Sequence, residues 1–185
     1  MKTILRNITM IVLLLGAFAQ VNASEAYTLL DTVLKSSDGK TAKVYLGVPL
    51  IVKKDMGKSS EVVIKGFQFE NKIYSTMEKE LLIAELDKGF KVAKKEANAV
   101  ELVGTIEKEL ITENGIEVWE EQEEFFFEMC TQCHAAPSVP HHTMVEWEAV
   151  FGTMKIFAKL DGEESSYLLR YLKSNASNGL LKTEH

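Results

Sequence analysis

At Asn114-Gly115 the chain changes its period, and that change limits the fold more than any other feature of the sequence. From about Tyr27 to Thr112 short β-type runs recur every ~8 to 15 residues, separated by turn signals. The runs include Lys43-Val44-Tyr45-Leu46, Leu50-Ile51-Val52, Glu61-Val62-Val63-Ile64, Leu81 to Leu86 and Val100-Glu101-Leu102-Val103, with Asp38-Gly39, Met56-Gly57 and Lys65-Gly66 between them. This spacing predicts a small antiparallel, SH3-like β-barrel over residues 24–112. Val62 and Ile64 stand at period-two spacing between the polar Glu61 and Lys65, so one strand face is expected to be buried. Thr76 to Leu86 fits a helix nearly as well as a strand. After Asn114-Gly115 the texture is helical, and three helices are expected over 113–185, making the chain an α+β protein.

The first helix ends on the residues that carry chemistry. Five glutamates (Glu117, Glu120, Glu121, Glu123, Glu124) crowd its start, where the positive end of the dipole favours them. Phe126, Phe127, Met129, Cys130 and Cys133 form an apolar stripe behind them. Cys130-Thr131-Gln132-Cys133-His134 contains the only two cysteines of the chain. Two thiols three residues apart reach the two vinyl groups of a haem, and the imidazole that follows can ligate the iron. The motif therefore predicts one covalently attached haem c held by Cys130 and Cys133, with His134 as the proximal ligand. A structural zinc site would need about four ligands, and the sequence has no second Cys-x-x-Cys and no spaced His pair. A thioredoxin-like pair would follow a strand at a helix start, whereas a long acidic helical run precedes this one. Phe126, four residues before Cys130, is expected either against the haem edge or in the core between helices.

Pro137 and Pro140 rule out helix just after the motif. A second helix is expected from about Thr143 to Ile156, with Thr143 as cap and Trp147, Val150, Phe151 and Met154 inward. A third starts near Leu160-Asp161-Gly162 and carries Tyr167, Leu168, Tyr171 and Leu172. The sixth iron ligand must come from beyond His134. His141, His142 and Met144 have little slack to reach the opposite haem face, while Met154 stands twenty residues on. Met154 is the expected distal ligand, with His141 or His142 as the alternative, and a thioether there favours the ferrous state relative to a bis-histidine pair.

Residues 1–23 read as an export signal: Lys2 and Arg6, an apolar run from Ile8 to Phe18, and the small-residue site Val21-Asn22-Ala23. The run is shorter than the ~20 residues of a membrane span. The expected mature chain begins near Ser24, lies in the periplasm and does not span a membrane. It carries 19 basic and 27 acidic residues. That balance excludes electrostatic binding to nucleic acid or anionic lipid and points to partners with a basic docking surface. Residues 24–112 contain no histidine or cysteine and no catalytic constellation, so this part is expected to be structural or to serve in docking.

The stretch from Cys130 to Ala176, with Pro137, His141-His142, Trp147, Met154-Lys155, Leu160 and Tyr171-Leu172, resembles the C-terminal mono-haem domain of TorC-type cytochromes. The region before it, including Val62 to Phe67 and Leu82 to Leu86, is similar to what precedes that haem. The resemblance implies a three-helix cytochrome c-like haem domain. It also implies one-electron transfer, without catalysis, to a periplasmic molybdoenzyme that reduces N-oxides or S-oxides. TorC-type proteins also carry a tetrahaem membrane module. This chain has a single haem motif, so the upstream donor is expected to be a separate quinol dehydrogenase or cytochrome complex. The alternatives are a five-coordinate haem protein that senses or binds gases, and a periplasmic thiol-disulfide protein without haem.

Overall fold

The computed structural model of the protein describes residues 24–181. The export signal expected over 1–23 lies outside them. Ten strands come first: β1 (Ser24–Thr28), β2 (Thr32–Lys35), β3 (Thr41–Val44), β4 (Pro49–Asp55), β5 (Ser59–Phe69), β6 (Lys72–Tyr74), β7 (Leu82–Leu86), β8 (Ala93–Lys94), β9 (Ala99–Glu107) and β10 (Ile111–Thr112). Three α-helices follow: α1 (Glu120–Cys130), α2 (Met144–Phe157) and α3 (Gly162–Ser174).

Six strands close an antiparallel barrel in the order β5-β6-β7-β3-β2-β9, the last returning to β5. The long β5 makes closure possible, because it pairs along its length with β9 and, by its C-terminal end, with β6. Its N-terminal half pairs with β4, and β1 and β10 extend the sheet beyond the ring. Alternation puts Val62, Ile64, Val100, Leu102 and Ile106 inside, where they meet Leu34, Val44, Ile73 and Ile83 in one apolar core. At Gly66 the wall is tight: a Cβ there would lie 2.6 Å from the Ile73 side chain and 2.8 Å from the Tyr74 carbonyl oxygen. The barrel anticipated from the sequence is therefore present, and of the ambiguous stretch Thr76 to Leu86 only Leu82–Leu86 is strand, β7, the residues before it forming a turn.

The expectation of a three-helix cytochrome c-like fold is not met. The described residues form ten strands built on a closed six-stranded barrel, with only about 30% helix. The helices form where their period places them, but they pack as a layer on the barrel. The space among them is filled by their own side chains, Phe126, Trp147, Phe151, Leu168, Tyr171 and Leu172, together with Trp119. Barrel residues Tyr27, Leu29, Leu46 and Leu81 complete that second core. Pattern reading locates each helix, but it carries no information on the surface a helix will cover.

Three polar ties hold the layer in place. Arg170 on α3 donates from Nε to the Leu46 carbonyl and from Nη1 to the Leu82 carbonyl, each at 2.8 Å, with its guanidinium over the Tyr45 ring. Burial pulls its pKa down to about 10, so it stays charged at neutral pH. Asn178 accepts from the Met144 amide at the start of α2 and donates to Glu80 of the barrel. Lys173, buried on α3, reaches Glu148 of α2 at 2.8 Å.

Candidate functional site

The motif begins where α1 stops. Cys130 is the last residue of the helix, and Thr131 closes it, its amide and hydroxyl both donating to the Phe127 carbonyl at 3.2 and 2.6 Å. Cys133 and His134 follow on the turn. Phe126, buried inside the same helix, packs against Trp147 edge-on and against Tyr171, with ring centroids 6.1 and 6.0 Å away. Of its two expected positions it takes the core. Its neighbour Phe127 faces outward.

Both thiols are free, Cys130 half-buried and Cys133 exposed. Burial pushes the Cys130 thiol above its ordinary pKa. A helix C-terminus, the negative end of the dipole, also disfavours a thiolate. This is the reverse of a thiol-disulfide site, where a helix N-terminus lowers the pKa of the attacking sulfur. Burial and its place at the helix end make Cys130 a poor attacking thiol.

His134 is exposed, and its Nδ1 lies 2.8 Å from the Ala135 carbonyl oxygen. A carbonyl only accepts, so Nδ1 donates its N–H there, and Nε2 is the nitrogen that a neutral ring has for a metal. This is the arrangement of a metal-ligating histidine, whose second nitrogen is tied to a backbone acceptor that fixes the tautomer and the ring orientation. The residues present therefore fit a haem: two sulfurs within four residues and one imidazole with Nε2 available. Among the described residues no group of three or more His, Cys, Asp or Glu lies together as for a bare metal ion.

The other ligand candidates sit in different surroundings. Met144 is fully buried at the start of α2. His141 is exposed. His142 stacks edge-on to Trp147 with centroids 4.9 Å apart, and its backbone carbonyl accepts from the Ser177 amide and hydroxyl. Trp147 and Phe151 point inward as anticipated, but Val150 and Met154 do not: each is 38% exposed. Val150, Met154 and Phe157 recur at spacings of four and three, so they share one flank of α2, open to solvent. A flank of this kind suits an apolar group laid against it, and Met154 on it stands outside the core.

Two residues that matter here were not singled out from the sequence. Trp119 packs at a tilt against Tyr171, with centroids 6.0 Å apart, in the core behind Cys130. Arg170 is the junction with the barrel. It had a signal, being the only arginine after residue 23 in a chain otherwise supplied with lysine. No described helix is long and apolar enough to cross a membrane.

No protein-family model matches the chain, and no solved structure matches it. Two curated proteins do, both described as cytochrome c-type protein TorC, from Escherichia coli strain K12 and from Escherichia coli O157:H7. Each is 34% identical over 61 residues, which is 33% of this chain. The match covers only 16% of the length of each relative. The relationship these comparisons support is with a cytochrome c-type protein.

Proposed function

We propose that the protein is a mono-haem c-type cytochrome that transfers single electrons and performs no substrate chemistry of its own. The observation that carries this reading is the His134 bond to the Ala135 carbonyl, which leaves Nε2 for iron one residue after the Cys130 and Cys133 pair. Cys130 and Cys133 would hold the haem by their sulfurs, His134 would ligate on one side and Met154 on the other. Bound there, haem supplies one-electron exchange between two iron oxidation states. The chain's own part is to orient the group, exclude water from it and set its potential. Phe127, Val150 and Phe157 would lend it apolar surface that otherwise faces water, and the Met154 thioether would favour the reduced state.

The likeness to TorC supports the finer reading, in which the acceptor is a periplasmic molybdoenzyme reducing N-oxides or S-oxides and the donor is a separate protein. The acidic balance of the chain suits an acceptor with a basic docking surface. The basic and apolar segments of residues 1–23 support export and work in the periplasm.

Pyridine haemochrome analysis of the exported protein tests the centre of this reading. One covalent haem per chain is expected, lost in the Cys130→Ser/Cys133→Ser double variant; recovery of normal holoprotein from that variant would overturn the assignment. Met154→Ala should lose the sulfur-to-iron band of the oxidised protein and bind carbon monoxide when reduced. Carbon monoxide binding to the reduced wild type would instead mark an open sixth position and a gas-binding protein.

A further inference from the structure

Helix α2 is apolar on the side where a surface helix ordinarily turns its charges to water. Val145, Ala149, Gly152 and Ile156 follow at spacings of four, three and four residues, the spacing of a seam between two helices. Val145 is 59% exposed and Ile156 71% exposed. Ala149 and Gly152 are exposed between them, and a Cβ built on Gly152 would meet nothing within 4 Å. Among the described residues nothing covers this stripe. It is turned roughly 140° around the helix from the Val150, Met154 and Phe157 flank, so one flat group cannot cover both.

The stripe is its own complement when run in the opposite direction. Laid antiparallel on a second α2, Val145 comes opposite Ile156 and Ala149 opposite Gly152. The large side chains then meet at the two ends, and the small ones let the helix axes approach in the middle. Charge agrees with this register. Glu148 and Lys155 border the stripe on the same side, and the two-fold places Lys155 of each copy about 3 Å along the axis from Glu148 of the other. Glu148 gives one oxygen to its own Lys173 and has the second to offer.

We propose that two copies of the chain associate through an antiparallel α2–α2 pair built on Val145, Ala149, Gly152 and Ile156. The association is weak and reversible for two reasons. A single pair of helices of about four turns buries less than the ~1,200 Å² of a stable interface. Like charge also opposes it: residues 113–185 hold 13 acidic and five basic side chains, whereas residues 24–112 balance at 14 each. Screening should therefore strengthen the pair, the opposite of what salt does to docking on a basic protein. If the function proposed above holds, the two-fold also leaves both Met154 flanks on one face of the pair.

Sedimentation velocity on the purified full-length exported protein tests this, over about a hundredfold range of concentration at low and at high salt. The average mass should climb toward the dimer at the upper concentrations and climb further in high salt. Ala149→Glu puts like charges into the centre of the seam and should weaken association by at least about tenfold. Its helical circular dichroism should stay unchanged, because Ala149 touches no core. Mass and dichroism are read independently of haem, and haem content on the same samples reports separately on the function. A monomer throughout, association indifferent to Ala149→Glu, or association that falls with salt would each overturn the proposal.

Discussion

Gly47 illustrates how a single residue joins the two halves of the molecule. Its φ is +75°, and a Cβ on it would lie 2.0 Å from the Trp119 ring, so the indole occupies the space that the missing side chain leaves. The barrel loop and the lead-in to α1 could not approach with any other residue there. Gly47→Ala should cost about 2 to 4 kcal/mol, combining overpacking with the left-handed backbone. In a domain of this size that lowers the melting temperature by roughly 5 to 15 °C, measurable by calorimetry. Nothing around Gly47 in the sequence announces this, since the partner ring is 72 residues away.

Among the elements, α2 shows how far local rules reach. Thr143 accepts from the Glu146 amide while Glu146 accepts from the Thr143 amide, a reciprocal capping box visible in the sequence as Thr-x-x-Glu. Backbone and side-chain bonds from Thr143 hold the Glu146 carboxyl below its ordinary value. A depressed carboxylate contributes stability that is present above the unfolded pKa and lost as pH falls through the folded one. The first turn of α2 should therefore fray as pH drops below about 4.5, near the value for an unperturbed Glu. Trp147, whose indole donates to the Val139 carbonyl in this same turn, reports the change by fluorescence. In Glu146→Gln that acid phase should disappear, leaving a signal that is flat in pH until global unfolding.

For the whole molecule the question is whether barrel and helices unfold together. Their cores meet through Leu46, Leu81, Tyr27 and Leu29, and Arg170 satisfies two barrel carbonyls from α3. Burying the guanidinium is tolerable only while those acceptors stay in place. The wild type should therefore give one denaturant transition, with Trp fluorescence from the helical layer and strand dichroism coinciding. Arg170→Met removes both bonds and strands the Leu46 and Leu82 carbonyls, which should cost about 2 to 4 kcal/mol and separate the two probes, the helical layer melting first. Coincident probes in Arg170→Met would show that apolar contact alone couples the halves.

Whatever depends on neighbours along the chain could be read from residue order alone. The period-two runs made a barrel wall of Val62, Ile64, Val100 and Leu102, and the caps at Thr143 and Asp161 started two helices where they were expected. The Cys130 to His134 motif also belongs here, because its spacing is covalent. What the helices cover was set by long-range packing. A helix shows several faces at nearly equal apolarity, and α2 is apolar on three, so periodicity alone turned Val150 and Met154 inward when the barrel and α3 had room only for Met144, Trp147 and Phe151. The same limit produced the mistaken three-helix fold: local pattern counts helices, but the surface they bury is set by residues far away in sequence. Ring closure of β5 on β9, the fit of Trp119 over Gly47 and the reach of Arg170 to Leu46 are all of that long-range kind.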